Sequence, residues 1–266
     1  MKRTKNVIIA GVIIAVIGVV VVLCALGASG WNLKEANNWE QGTFTAQTTV
    51  TKLNVEVSAG KVYIKRGNVD TVTVNYEYND VYQAKIEENN GVLKIETPKK
   101  QQWINVNFWF NSAPTTEITV PTEASFEKLD LTLNAGTVEF GDGAWGAKVD
   151  VELNAGTLSM GDVKANELNV EVNAGAFKAK KIECDKFNCE ISAGSTKVSL
   201  LKCDNIDLDI SAGSAAITVA GAKSDYNIKA SRSAGSCNVT SQTGADSSKQ
   251  LKVDVSAGSA SISFEN

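Results

Sequence analysis

The chain has 266 residues, of which 43% are hydrophobic, enough for one large folded region and a membrane segment. It contains no histidine, so the commonest general base and the commonest metal ligand are missing from any site it forms. All 30 acidic residues lie beyond position 33, and the part of the chain beyond that position has a formal charge of about −7, which argues against a nucleic-acid partner.

The first predicted element is an uncharged apolar segment at residues 7–28, long enough for a transmembrane helix. The basic tail at residues 1–6, MKRTKN, predicts a cytoplasmic amino terminus and an extracellular remainder. A cleaved signal peptide is the alternative, because small residues recur between positions 25 and 30, although its apolar core would be unusually long. Leu23 is larger than the residue that normally precedes a lipoprotein cysteine, so Cys24 is interpreted as membrane-buried.

Residues 29–43 are polar and have no clear period, which predicts a linker between the membrane segment and the rest of the chain. Beyond this linker, alternating apolar residues predict strands rather than helices.

Eight copies of a small residue, alanine and glycine follow alternating apolar runs. Their glycines are Gly60, Gly136, Gly156, Gly175, Gly194, Gly213, Gly235 and Gly258. From Gly136 the intervals are 20, 19, 19, 19, 22 and 23 residues. Apolar residues alternate before and after almost every glycine, so each copy predicts a strand, a tight corner and a second strand. A unit this short cannot bury a core alone, and we predict an all-β fold, a parallel β-solenoid with rungs of about 19–20 residues, over residues 44–266.

The corner has a constant composition, because the residue two before each glycine is always serine or asparagine. Stacked at strand spacing, these side chains are expected to hydrogen-bond to one another or to the corner amides. Consecutive corners are expected to lie directly above one another, so that chain order becomes height along the rod.

The interval from Gly60 to Gly136 is irregular. It equals four 19-residue periods, and Val72, Val74 and Tyr76 have the strand phase of a rung centred at Asn79. We interpret residues 68–121 as degenerate rungs with an insertion, including the strand-like sequences GVLKIET and TTEITVP.

An acidic face is predicted from the residues that point away from the core. Glu152, Glu171, Glu190 and Asp209 stack at one repeat position, and Asp150 and Asp207 lie on the same face two residues earlier in their rungs. Like charges about 5 Å apart repel by roughly 0.8 kcal/mol in water, so this column favours binding of a cation or a cationic partner such as a basic peptide. The alternative is a solvated face whose charge prevents aggregation.

A second candidate surface is the aromatic segment QWINVNFWF at residues 102–110. Alternation places Trp103 and Trp109 on one face, opposite Ile104 and Phe108. Exposed tryptophans there would suit a sugar, a partner protein or the membrane interface. The alternative is that the segment covers the solenoid as part of the core.

The cysteines give two expectations. Cys184 and Cys203 share one phase 19 residues apart and are predicted to be neighbours on adjacent rungs, either as a disulfide or as a packed thiol pair. Cys189 and Cys237 replace apolar core residues. The sequence contains no CxxC pair, so a zinc site is not indicated, and no cofactor is expected.

Catalysis is not predicted. Asp142 and Asp162 are 20 residues apart and stack as a possible carboxylate pair, but both follow a glycine at a turn, where Gly-Asp is ordinary. No nucleophile elbow or phosphate-binding loop is present in the sequence.

The units LNVEVSAGKVYI, LDLTLNAGTVEF and VDVELNAGTLSM, together with GVLKIET and ITVP, resemble the bacterial putative-adhesin family of unknown molecular function. Similar domains occur behind membrane anchors and in cell-envelope stress proteins of the Lia type. The resemblance implies a β-solenoid and no catalytic residue. A membrane-anchored extracellular module that binds, adheres or senses envelope stress is therefore expected. Its partner would be a cationic peptide, an envelope component or another membrane protein.

The alternative function is a scaffold that assembles with partner membrane proteins or with itself. Its carboxy-terminal sequence SASISFEN is expected to form an unpaired strand edge through which copies would associate.

Overall fold

A computed structural model describes residues 39–79, 82–100, 114–246 and 248–265, with residues 98–100 described by their backbone. The apolar segment predicted to cross the membrane, residues 7–28, lies outside the described residues. Within the described ranges, no helix has both the length and the apolar character needed to cross a bilayer.

The described chain is all-β apart from one short 3-10 helix, Lys223–Asp225. β1 begins at Glu40, inside the segment predicted as a linker. The strands in chain order are β1 (Glu40–Thr45), β2 (Lys52–Val57), β3 (Lys61–Gly67), β4 (Thr73–Tyr78), β5 (Tyr82–Asn89), β6 (Val92–Lys100), β7 (Thr115–Pro121), β8 (Phe126–Leu133), β9 (Thr137–Phe140), β10 (Gly143–Leu153), β11 (Thr157–Val172), β12 (Ala176–Ile191), β13 (Ser195–Ile210), β14 (Ser214–Ala220), β15 (Asn227–Arg232), β16 (Ser236–Cys237), β17 (Gln250–Val255) and β18 (Ser259–Glu265).

Each complete rung has three straight segments. In β11 the buried residues are Leu158 and Met160, then Val163, then Leu168 and its alternate successors. This alternation changes phase near residues 161 and 166, and the pairing of β11 with β12 skips the same places. Because side chains alternate strictly along a straight strand, each phase change marks a bend. The rung therefore bends twice between one Ala-Gly corner and the next.

The Ala-Gly corners stack in one column, as the repeat predicts. The residue after each corner glycine donates its backbone N–H to the carbonyl of the neighbouring glycine, for example Thr157 to Gly136 at 3.0 Å and Ala176 to Gly156 at 2.9 Å. Gly156 has φ +101°, and a Cβ there would lie 2.2 Å from the Gly136 carbonyl oxygen. Close backbone approach and positive φ together explain why this position is glycine.

The expectation that chain order becomes height is wrong at the carboxy-terminal end. β17 pairs with β13 on one side and with β15 on the other, and β18 lies between β14 and β16. The Gly258 rung is thus inserted between the Gly213 and Gly235 rungs. The identical parallel pairing of every rung allows this exchange, and the longer intervals of 22 and 23 residues supply the chain needed to leave the stack and return.

SASISFEN is consequently not the free edge that the scaffold alternative requires. β18 pairs with β14 along its length, and β16 and Asn238 cover its other side. The Asn238 side chain accepts a hydrogen bond from Ile262 N at 2.8 Å and donates one to Ile262 O at 2.9 Å. The outermost strand, β15, is covered in turn: Gln242 makes an antiparallel bridge to Ile228.

Chain order also differs from height at the amino-terminal end. GVLKIET and TTEITVP lie in β6 and β7 and form a rung outside β2 and β3, while β8 and β9 pair on the inner side. The rung projected around Asn79 does not form, because β4 pairs antiparallel with β1 and β7. β5 pairs antiparallel with β6. These antiparallel strands end the parallel stack.

Arg66 holds the chain where it returns from the outer rung toward β8. Its guanidinium donates hydrogen bonds to the carbonyls of Pro121 at 3.0 Å and Ala124 at 2.8 Å, and also to those of Thr122 and Ala144. It lies 4.9 Å from the ring centroid of the fully buried Trp145. One cation therefore satisfies the carbonyl oxygens of two neighbouring turns.

Candidate functional site

The acidic residues predicted from the repeat are brought together on one outer face. Glu152, Glu171, Glu190 and Asp209 are in direct register on β10 to β13. The inserted carboxy-terminal rung adds Asp254 opposite Asp209. We call the resulting row of five the carboxylate column. At a strand spacing of about 4.8 Å it extends about 19 Å along the rod.

Most of the carboxylate column has no positive partner. Among the described residues, none of its members except Asp254 forms an ion pair with lysine or arginine. Glu152 accepts a hydrogen bond from Asn154 Nδ2 at 2.9 Å, and Glu171 accepts one from Asn173 Nδ2 at 3.2 Å. These amides belong to a ladder that ends at Asn134, so the predicted stacking of corner side chains is confirmed for the asparagines. Neutral donors orient these two carboxylates without cancelling their charge.

Asp150 and Asp207 lie in the neighbouring column, where charge is already compensated. Lys128 Nζ lies 3.2 Å from Asp150 Oδ2, and Asn169 donates to Asp150 Oδ1 at 2.7 Å. Burial raises the pKa of Asp150, but Asn169, Lys128 and Lys148 outweigh it, and the net pKa is lowered. At the other end, Lys252 Nζ lies 3.1 Å from both Asp207 Oδ1 and Asp254 Oδ2. The two columns therefore differ in how much charge they offer to a partner.

The two columns form the walls of an open groove of about 680 Å³. All six predicted acidic residues line it, with Lys128 and Lys252 toward its ends. No group of three or more acidic or cysteine side chains in the described ranges is arranged to hold a metal ion. In-register carboxylates lie in a line, whereas a metal needs oxygen ligands that converge at about 2.0–2.6 Å. The arrangement suits an elongated cation better than a single ion.

The other candidates occupy different places. Trp103 and Trp109 lie outside the described residues, in the segment that joins β6 to β7. The Asp142 carboxylate accepts the backbone N–H of Asp162 at 2.7 Å, and Asp162 is 3.1 Å from Lys180 Nζ. Asp142 therefore serves as a turn residue, as the Gly-Asp sequence indicates.

Cys184 and Cys203 face each other in register on β12 and β13, as their spacing predicts, and both are buried free thiols. Cys189 lies in the core, where burial raises its pKa to about 12. Cys237 is only partly buried, because its rung is the outermost one.

Stacked three-segment rungs, a column of Ala-Gly corners and an outward acidic groove define a β-solenoid. Residues 50–266 match the Toastrack DUF4097 family, and the chain belongs to that family. The resemblance to putative adhesins seen in the sequence is thereby confirmed. No curated protein matches the chain.

Solved structures are similar to the chain at low sequence identity. One is described as a putative adhesin from Parabacteroides merdae; the match covers 86% of this chain and 97% of that chain, with 10% identity and a TM-score of 0.51. A putative cell adhesion protein from Clostridium sporogenes matches over 86% of this chain and 100% of that chain, with 15% identity and a TM-score of 0.42. A putative lipid binding protein from Parabacteroides distasonis matches over 86% and 98%, with 15% identity and a TM-score of 0.46.

Proposed function

We propose that this protein is a non-catalytic binding module, anchored in the cell membrane by residues 7–28 and exposed outside the cell, that holds a cationic peptide in the groove beside its carboxylate column. The observation that carries the proposal is the row Glu152, Glu171, Glu190 and Asp209, in which four stacked carboxylates have no ion-pair partner among the described residues. Such a row raises the local concentration of a polycation and accepts several of its charges at once.

Location outside the cell is part of the proposal. The basic tail before the apolar segment and the absence of basic residues directly after it support this orientation. A module held there would meet cationic antimicrobial peptides or basic segments of neighbouring membrane proteins before they reach the lipid surface. Sensing of envelope stress would follow if occupancy of the groove changed contacts with a membrane partner.

A titration of the full chain with oligolysine in neutral detergent tests the proposal. Neutralising Glu152→Gln, Glu171→Gln, Glu190→Gln and Asp209→Asn together is expected to weaken binding by at least about tenfold at low salt. The difference should shrink near about 0.15 M salt, because exposed charges are then screened beyond about 8 Å.

The matched control makes the same change in net charge away from the groove. It neutralises Asp70, Glu123, Asp185 and Asp204, which are exposed on other parts of the molecule. Equal affinity of the two fourfold variants would show that net charge alone attracts the peptide and would remove the groove as the binding site.

A further inference from the structure

Cys184 and Cys203 form a thiol pair on a different side of the solenoid from the acidic groove. Each is the last inward-facing residue of the middle segment of its rung, just before an exposed aspartate, Asp185 or Asp204, at the bend. The two are direct partners in the parallel register of β12 and β13.

The position of the pair meets the backbone requirement of a disulfide. In-register residues of adjacent strands have Cα atoms about 4.8 Å apart, within the range of about 4.4–6.8 Å that disulfides need. Both side chains point to the inner side of the sheet, since only 9% of Cys184 and 3% of Cys203 is exposed. Cys189, in contrast, has Val170 and Leu208 as its register partners and no thiol beside it.

The thiols of Cys184 and Cys203 interact with each other, and the interaction shifts their pKa values in opposite directions. The interaction with the Cys203 thiol raises the pKa of Cys184, and burial raises it further. The same interaction lowers the pKa of Cys203, although burial opposes it.

A groove of about 690 Å³ has both cysteines among its lining residues. Small residues of the preceding rungs, including Gly146 and Ala165, line it together with both cysteines. Its polar side is formed by Glu183 and two lysines. Lys164 and Lys202 make ion pairs with Glu183 at 3.1 and 3.4 Å, respectively. The segment that carries the pair therefore lies at the protein surface, although the thiols themselves are buried.

We propose that Cys184 and Cys203 form a redox site that reacts with a small-molecule or protein disulfide to cross-link two adjacent rungs. The thiolate of one cysteine attacks one sulfur of the incoming disulfide and expels the other as a thiolate. The second cysteine then attacks its neighbour's sulfur in the mixed disulfide and expels the second thiolate. Two cysteine thiols are oxidised, one external disulfide is reduced to two thiols, and the protons of the cysteines pass to the departing groups.

The site can be tested by treating the folded full chain with oxidised glutathione, quenching with acid, alkylating free thiols and digesting with trypsin. Cleavage after Lys181, Lys186, Lys197 and Lys202 places Cys184, Cys189 and Cys203 on separate peptides. The expected product is a cross-link between the Cys184 and Cys203 peptides, two hydrogens lighter than their sum, with Cys189 alkylated. The oxidised chain should also melt several degrees higher than the reduced chain, because the cross-link closes a loop of about 19 residues.

Cys203→Ala and Cys184→Ala are the matched controls, and in both the oxidant should leave the melting temperature unchanged. Either of two chemical results would overturn the proposal. One is glutathione attached at either cysteine without a link between them; the other is full alkylation of both after oxidation. A melting temperature that rises equally in wild type and in Cys203→Ala would also contradict it.

Discussion

At the scale of single residues, two glycines with similar backbone angles, one at a corner and one outside the corners, meet different structural demands. Gly156 combines φ +101° with a backbone oxygen 2.2 Å from the position of a Cβ. Gly221 has nearly the same φ, +102°, but its nearest neighbour would be 3.8 Å away. The first glycine is required by stacking and by conformation, the second by conformation alone.

Replacing each glycine by alanine separates the two demands. Gly221→Ala is expected to lower the free energy of unfolding by about 1 kcal/mol, the usual cost of positive φ for an L-residue. Gly156→Ala should lower it by about 3 kcal/mol or more, because the neighbouring corner must move as well. Urea denaturation of both variants measures the difference, and equal losses would mean that the corners are not in backbone contact.

The lowered pKa of Asp150 predicts how stability depends on pH. A carboxylate whose pKa in the folded protein lies below its ordinary value of 3.8 stabilises the fold above that value, and the contribution is lost as the pH falls through the folded pKa. Asp150→Asn removes this contribution, so the variant should lose less stability than wild type between about pH 5 and pH 2. Urea midpoints across this range provide the measurement. Parallel curves for wild type and Asp150→Asn would contradict the prediction, and Asp185→Asn, at an exposed carboxylate, is the control.

Residue patterns predicted the acidic face but not all of its members. The repeat places Glu152, Glu171, Glu190 and Asp209 on one side of the rod, and the structure confirms that they stack. Chain order alone would place Asp254 on a rung beyond Ser231, since the exchange of the last two rungs does not alter the alternation of apolar residues. Only the longer intervals before Gly235 and Gly258 indicate it.

At the scale of elements, strands and corners were predictable because alternation and glycine spacing act locally. The antiparallel strands β1, β4 and β5 were not, since Val72, Val74 and Tyr76 alternate equally well in a parallel or an antiparallel strand. The structural role of Arg66 was not predictable from the sequence either. Its role depends on carbonyl groups from turns 55 to 78 residues away.

Arg66→Lys tests whether this guanidinium holds the crossing between the outer rung and β8. Lysine keeps the charge but cannot reach several carbonyls with a planar fork, so the free energy of unfolding should fall by about 2–3 kcal/mol. Lys65→Ala is the neighbouring control; it removes an exposed ion pair of 2.8 Å to Glu117 and should cost less than about 1 kcal/mol. Equal decreases in the free energy of unfolding for both variants would mean that Arg66 does not hold the chain segment between the outer rung and β8.

At the scale of the whole molecule, the rod is longer than the corner glycines alone indicate and is protected at its carboxy-terminal end. The rung made by β6 and β7 adds a layer at the amino-terminal end, and Asn238, Ser241 and Gln242 cover strand edges at the other. Covered edges discourage end-to-end association of copies. Interaction through an outer face of the rod is therefore favoured over assembly through its carboxy-terminal end.

Hydrogen exchange tests the order of the rungs. Amides of β17 and β18 should exchange more slowly than those of β15 and β16, although they are later in the chain, because the latter form the outermost rung. Stacking in chain order would give the opposite result, with β17 and β18 exchanging first.

The most direct measurement is an NMR titration of the isotope-labelled chain with oligolysine, following the side-chain carboxyl signals of aspartate and glutamate. Groove binding predicts that Glu152, Glu171, Glu190 and Asp209 shift together with one binding constant, while Asp70, Asp185 and Asp204 stay unchanged. Shifts confined to the other faces, or different binding constants along the row from Glu152 to Asp209, would contradict the binding of a cationic peptide along this row.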